Sequence, residues 1–270
     1  MTFLPIVARE LLEASRRRGT YWLRVGAAAV ALAIGGFVML LTRKGAQPGE
    51  IGMYLFVPLA ITSFLYTLLI GVFRTADCLS EEKREGTLGL LFLTDLKGYD
   101  IVVGKLAATS LNAFYGVLAL FPMMAIPLLA GGVAIGDFWR VVMVSLNNLF
   151  FSLAVGMFCS SISRDERRAM VLAFLIVLFF AAGLPLFGAM ICQGARAWKY
   201  YPAFLVFSPG FDCVGAFEEI RKSDRAFGHW QLSVILIHGM SWLLLVLACF
   251  IVPRTWQDKA VTPAAMRRRE

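Results

Sequence analysis

The sequence predicts an all-α integral membrane protein with six transmembrane helices. Hydrophobic residues make up 59% of its 270 residues and charged residues only 16%, and the mean hydropathy is +0.73. A soluble globular domain carries about 25% charged residues, because its surface must be hydrated. This chain has too little charge to cover a soluble core, so we expect no nucleic-acid partner despite the net charge of +8.

A helix that crosses the ~30 Å hydrocarbon layer needs about 20 apolar residues. Six uncharged stretches are long enough to cross, and a seventh, Tyr200–Phe211, is too short. It predicts a re-entrant or interfacial segment within an external loop over residues 196–228. Gly131 and Gly132 are expected to mark the outer end of the third span. The six spans are predicted from stretches without Asp, Glu, Lys or Arg, namely Val25–Thr42, Ile51–Phe73, Leu106–Gly136, Val141–Ser163, Ala169–Ala195 and Ala226–Pro253.

The distribution of positive charge predicts the orientation. Most of the 26 Lys and Arg fall on the side that carries both chain ends, and the positive-inside tendency puts that side in the cytoplasm. We therefore expect one transmembrane domain over residues 1–270, with a cytoplasmic loop over residues 74–100. Residues 1–20 predict an interfacial helix, because their apolar and charged residues would lie on different sides of it.

The sequence lacks the residue patterns of an enzyme or a metal site. HExxH and GxSxG motifs are absent, and the five Cys are dispersed without CxxC spacing. Inside the predicted spans the one ionisable candidate is His238, which we expect to be a hydrogen-bonded packing residue. A proton- or sodium-coupled carrier is therefore disfavoured. The chain is predicted to be no enzyme and to bind no cofactor or metal itself.

The loop between the second and third predicted spans is the most informative segment. A charged run, Glu81–Glu85, leads into Gly86 and then into the apolar run Leu88–Leu93. Apolar residues in a cytoplasmic loop need a partner surface, either the membrane interface or another protein. Gly86 permits a sharp bend, and Thr87 is suited to cap a short helix that begins at Leu88. The pattern alone favours a membrane-surface helix and a protein-docking element about equally.

This loop resembles the signature of ABC exporter permeases of the type-two family. Those proteins carry an E-x-x-x-G-T-L-x-x-L-x-x-T run, followed by G-K, between the second and third of six spans. The matching residues in this sequence are Glu82, Gly86, Thr87, Leu88, Leu91, Thr94, Leu96, Gly104 and Lys105.

The resemblance implies that the loop is a cytoplasmic coupling element resting on an ABC ATPase subunit, which binds the ATP. It also implies a second permease subunit, as a homo- or heterodimer, and export across a bacterial inner membrane. The loop Ser163–Arg168 is either a second cytoplasmic contact or only a positive topological anchor. The residues implied in ATPase coupling are Glu81, Glu82, Glu85, Gly86, Thr87, Leu88, Leu91, Phe92 and Thr94.

Two other functions remain open at this point. One is an ATP-independent carrier or channel, in which the 74–105 loop is a simple surface helix. The other is a membrane scaffold that assembles a larger complex. The sequence does not identify a transported substrate.

Overall fold

The computed structural model describes residues 19–42, 48–86, 97–194, 201–217 and 230–255. In these ranges the chain is helical almost throughout and contains no strand, as the predicted all-α class requires. The predicted interfacial helix lies outside the described residues, except for its last two positions.

Eleven α-helices and one π-helical turn make up the described part of the chain. They are α1 (Gly19–Thr42), α2 (Pro48–Thr75), α3 (Cys78–Glu85), α4 (Gly98–Leu118), α5 (Phe121–Ala130), α6 (Ile135–Ile162), α7 (Glu166–Leu178), the π-helical turn Phe179–Gly183, α8 (Leu184–Gly194), α9 (Tyr201–Leu205), α10 (Pro209–Gly215) and α11 (Trp230–Thr255).

Five segments of the described chain are long and apolar enough to cross a membrane, which makes this a multi-pass membrane protein. The predicted first span lies within α1, which is not among the five, so the count of six spans stays a prediction. The five segments are Ile51–Glu85, Gly98–Ala130, Ile135–Ile162, Glu166–Gln193 and Trp230–Thr255.

The segment predicted as the third span consists of two helices, because proline interrupts it. Pro122 has no backbone N–H and its ring excludes the carbonyl four residues earlier, that of Leu118, where α4 ends. Helix α5 then runs to Ala130, and Gly131 follows with a φ of 87°. This confirms the predicted end of the segment at the paired glycines, since a positive φ favours glycine.

A second proline explains the π-helical turn between α7 and α8. Pro185 has no N–H to donate to the carbonyl of Ala181, four residues earlier. The hydroxyl of Ser208 donates to that carbonyl instead, at 3.2 Å. Ser208 is also the N-cap of α10, whose Gly210 N–H it accepts at 3.2 Å. The predicted non-spanning segment is thus the helix pair α9 and α10, tied to the π-helical turn.

Helix α6 lies at the centre of the bundle, packed between α2 and α11. Close approach to α2 is possible because Gly71 has no side chain where the two helices meet. Hydroxyl groups then join the helices: Ser152 donates to the carbonyl of Thr67 at 2.8 Å, and Thr75 donates to that of Leu153 at 3.0 Å. These bonds satisfy polar groups that lipid cannot satisfy.

Candidate coupling site at the α3 end of the bundle

The short helix α3 follows α2 after a two-residue bend and lies against the final turn of α6. We call this region, with the start of α4 and the end of α11, the α3 end. An isolated helix of eight residues is unstable in water, so α3 depends on its contacts with the rest of the chain. It ends at Gly86, which has a left-handed φ of 72°. The predicted sharp bend at Gly86 is therefore confirmed.

The first turn of α3 is bound by a side chain from α6. The hydroxyl oxygen of Ser160 accepts the backbone N–H of Leu79 at 2.8 Å and that of Ser80 at 3.0 Å. The residue that precedes α3, Asp77, makes no capping bond with its side chain. Ser160 therefore satisfies two of the N–H groups that a helix leaves unpaired at its start.

The end of α6 is bound in turn by groups from α3 and α11. The ammonium of Lys83 donates to the carbonyl of Ser160 at 3.4 Å and also to that of Ser161. The hydroxyl of Thr255 donates to the same Ser161 carbonyl at 3.2 Å. Three helices thus meet at the last carbonyl groups of α6.

A buried ion pair joins α3 to α4. The Nζ atom of Lys105 lies 2.6 Å from Oε1 of Glu82, and the two side chains are only 6% and 10% exposed. Both residues belong to the sequence signature, but sequence reasoning assigned Glu82 to a partner contact and did not pair it with Lys105. Their opposite charges on the two sides of one loop were the signal that would have suggested the pair. A contact from Glu82 to a partner stays a prediction.

The remaining predicted coupling residues fall into two groups. Glu81, Glu85 and Gly86 are exposed on or directly after α3. The others lie outside the described residues, so their predicted contacts are untested: Thr87, Leu88, Leu91, Phe92 and Thr94.

The turn between α6 and α7 lies beside α3. Arg84 forms an ion pair with Asp77 at 3.1 Å and reaches Glu166, at the start of α7, at 3.9 Å. These are exposed pairs and contribute little stability, but they place the predicted second contact loop, Ser163–Arg168, next to α3. The α3 end therefore presents two neighbouring charged segments on one surface.

His238 is far from this region and has hydrogen-bond partners of its own. Trp242 Nε1 donates to His238 Nε2 at 3.0 Å, so His238 Nδ1 is the donor to Asn147 Oδ1 at 3.1 Å. The predicted hydrogen-bonded role of His238 is confirmed, although its side chain lies on the exposed face of α11. No group of three or more His, Cys, Asp or Glu in the described ranges is arranged to hold a metal ion.

The described residues thus form an apolar helical bundle with a charged, internally bonded surface at one end. A family model described as ABC-2 family transporter protein matches residues 12–255. The match covers most of the 270 residues, so the chain belongs to the ABC-2 transporter family. The resemblance found in the 82–105 signature is therefore confirmed. No curated protein matches the chain. The protein is a membrane permease component and is not itself catalytic.

Proposed function

We propose that this chain is the membrane-spanning permease subunit of an ABC-type exporter. A separate ATPase subunit binds and hydrolyses the ATP, and the chain itself holds no cofactor. Membership of the ABC-2 family supports the permease role and a working partnership with an ABC ATPase. Export, and not import, is the direction that the signature resemblance favours.

The observation that carries this proposal is the way α3 is fixed. The buried Glu82–Lys105 pair and the Ser160 hydrogen bonds hold one side of the helix against the spans. On its other side Glu81 and Glu85 are exposed. A protein that docks on the exposed side can therefore displace the spans through α3. A helix that only lies on the lipid surface would need no such attachment to the spans.

The proposed assembly contains two permease subunits. Helix α7 supports this, because only 11% of the apolar window in its segment, Glu166–Gln193, is buried within the chain. A second copy or a sister permease would cover part of this apolar surface, and lipid the remainder.

We place the α3 end and both chain ends in the cytoplasm of a bacterial cell, with the spans in its inner membrane, because most of the positive charge lies on that side.

Affinity purification of the tagged chain from membranes in mild detergent tests the proposal. We expect a Walker-motif ATPase to co-purify with the wild type. Glu85→Lys reverses an exposed charge on α3, and Leu91→Asp introduces a charge into the apolar run. Each variant is expected to reduce ATPase recovery about tenfold or more, because a charge placed wrongly in a docked interface is costly.

Arg254→Glu is the matched control, since Arg254 is also exposed at the α3 end but lies on α11. It reverses a charge outside the proposed contact and is expected to retain the ATPase. Absence of any ATPase from the wild-type preparation, even after co-expression of candidate subunits, would contradict the proposal. Equal loss with Arg254→Glu would show a general effect of charge and also contradict it.

A further inference from the structure

We propose that Ser160 is a positioning residue, which joins α3 to α6 so that α6 is the span that follows a movement of α3. The inference deepens the proposed function and rests on it, because it concerns how a contact made on α3 reaches the membrane. It names α6, and not the exposed helix α7 that follows it, as the receiving helix.

Helix α3 has no side-chain cap of its own at its start. Helix N-termini leave unpaired N–H groups, which a preceding Ser, Thr, Asp or Asn usually satisfies. Asp77 occupies that position without making the bond, and the hydroxyl of Ser160 accepts the N–H groups of Leu79 and Ser80 instead. The cap of α3 thus comes from a different helix, 81 residues after Leu79.

The hydrogen bonds between α3 and α6 run in both directions. The C-terminal end of a helix carries unpaired carbonyl groups and a partial negative charge. At the end of α6 the carbonyls of Ser160 and Ser161 accept hydrogen bonds from the ammonium of Lys83 on α3. Each helix therefore satisfies terminal groups of the other, and neither helix can shift alone without exposing them in a buried place.

Helix α6 is well placed to pass a displacement of α3 on to the other spans, because it packs against α2 and α11. In its segment, Ile135–Ile162, 78% of the apolar window is buried within the chain. It packs along α2 and α11, and Thr255 of α11 shares the Ser161 carbonyl with Lys83. A displacement of α3 that keeps these hydrogen bonds intact therefore moves α6 together with the end of α11.

Hydrogen exchange measured by mass spectrometry directly tests the Ser160 hydrogen bonds to α3 in the purified chain. Ser160→Ala is expected to speed exchange in peptides covering residues 78–85 by about tenfold or more, because two amide hydrogen bonds are lost. Ser161→Ala is the matched control: Ser161 is the next residue, and its hydroxyl donates within α6 to the carbonyl of Phe158 at 2.7 Å. Ser160→Thr keeps a hydroxyl and is expected to restore protection.

The same readout in the complex with the ATPase tests the transmission. Ser160→Ala leaves the exposed face of α3 unchanged, so ATPase recovery is expected to match the wild type. Nucleotide-dependent changes in exchange over residues 135–162 are expected to fall about twofold or more in Ser160→Ala, which keeps only the Lys83 bonds to the backbone of α6, and to persist in Ser161→Ala and Ser160→Thr.

Two results would overturn the inference: the same exchange over residues 78–85 in Ser160→Ala as in Ser161→Ala, or a nucleotide response over residues 135–162 that is as large in Ser160→Ala as in the wild type. A wild-type chain that recovers no ATPase would overturn the proposed function, and the transmission role of Ser160 with it. The exchange of residues 78–85 would still decide separately whether Ser160 caps α3.

Discussion

Helices α6 and α7 follow one another in the chain, and both lie in segments apolar enough to cross a membrane, yet their surroundings are opposite. In the α6 segment 78% of the apolar window is buried within the chain, and in the α7 segment only 11%. The buried helix is the one that carries polar side chains with partners on other helices, including Ser145, Asn147 and Ser152. The central part of the exposed helix is uniformly apolar.

In this pair the more apolar segment is the less buried one, so high hydropathy does not predict burial inside a membrane protein. Lipid tails solvate apolar side chains, whereas they cannot satisfy a hydroxyl or an amide. Polar spans therefore go to the centre of the bundle, where neighbouring helices supply partners, and uniformly apolar spans go to its surface. Lipid or a second permease subunit must cover the exposed side chains of α7, among them Val171, Leu172 and Leu175.

The largest effect of a single substitution is expected at the contact between α6 and α2. A Cβ atom at Gly71 would overlap Ser152 Oγ and lie 2.7 Å from the Leu153 backbone nitrogen. Backbone cannot move aside as a flexible side chain can, so Gly71→Leu is expected to abolish the folded protein. The measurement is the yield of monodisperse protein in detergent by size-exclusion chromatography.

Gly239→Leu on α11 is the control for this prediction. A Cβ atom at Gly239 meets nothing within 4 Å, and the residue is exposed. This variant is expected to give monodisperse protein in wild-type yield. A normal yield from Gly71→Leu would show that α2 and α6 are not in close contact.

The same leucine-to-alanine change is expected to have different effects on the stability of the protein when it is made in α6 and in α7. Leu153 on α6 is 2% exposed and Leu175 on α7 is 55% exposed. Leu153→Ala leaves a cavity in the bundle and is expected to cost about 2–5 kcal/mol, as for buried leucines generally. Leu175→Ala is expected to stay within about 0.5 kcal/mol of the wild type. Unfolding midpoints of the two variants in one detergent are the measurement, and equal shifts would contradict the assignment of α6 to the centre.

Local sequence signals predicted much of this architecture. Long uncharged runs predicted the membrane class, the glycine pair at 131 and 132 predicted a helix end, and Gly86 predicted a bend. Each of these depends on a few neighbouring residues, whose backbone preferences act without help from the rest of the fold. The helix bounds are less visible in local sequence, because the uncharged stretch that predicts the third span begins at Leu106, whereas α4 begins at Gly98.

That difference has a physical cause. Lys105 lies inside α4 because Glu82 pairs with it, and a paired charge can be buried where an isolated one cannot. The Ser160 hydrogen bonds to α3 cannot be predicted from the sequence either, since the partners are about 80 residues apart and serine is common in membrane helices. Contacts that depend on tertiary structure leave no local pattern, and the candidate site consists mostly of such contacts.

At the end of the bundle opposite α3, helix α10 packs against both α6 and the π-helical turn. Asp212 on α10 is fully buried, and neither of its carboxyl oxygens has a hydrogen-bond partner within the described residues. Burial raises the pKa of Asp212 from 3.8 to about 8. Burial of a carboxyl group disfavours its charged form, which is the cause of the rise.

The sign of the resulting pH dependence follows from proton binding. Between about pH 4 and pH 8 the folded protein holds a proton on Asp212 that the unfolded chain has released, so stability falls as the pH rises through this range. Asp212→Asn cannot ionise and is expected to remove this part of the fall, raising the unfolding midpoint more at pH 8 than at pH 5. Asp165→Asn, at an exposed position in the turn before α7, is the control and is expected to keep the wild-type profile. Parallel profiles for the wild type and Asp212→Asn would mean that this carboxyl group is hydrated, and that the end of α6 opposite α3 is packed less closely than the rest of the helix.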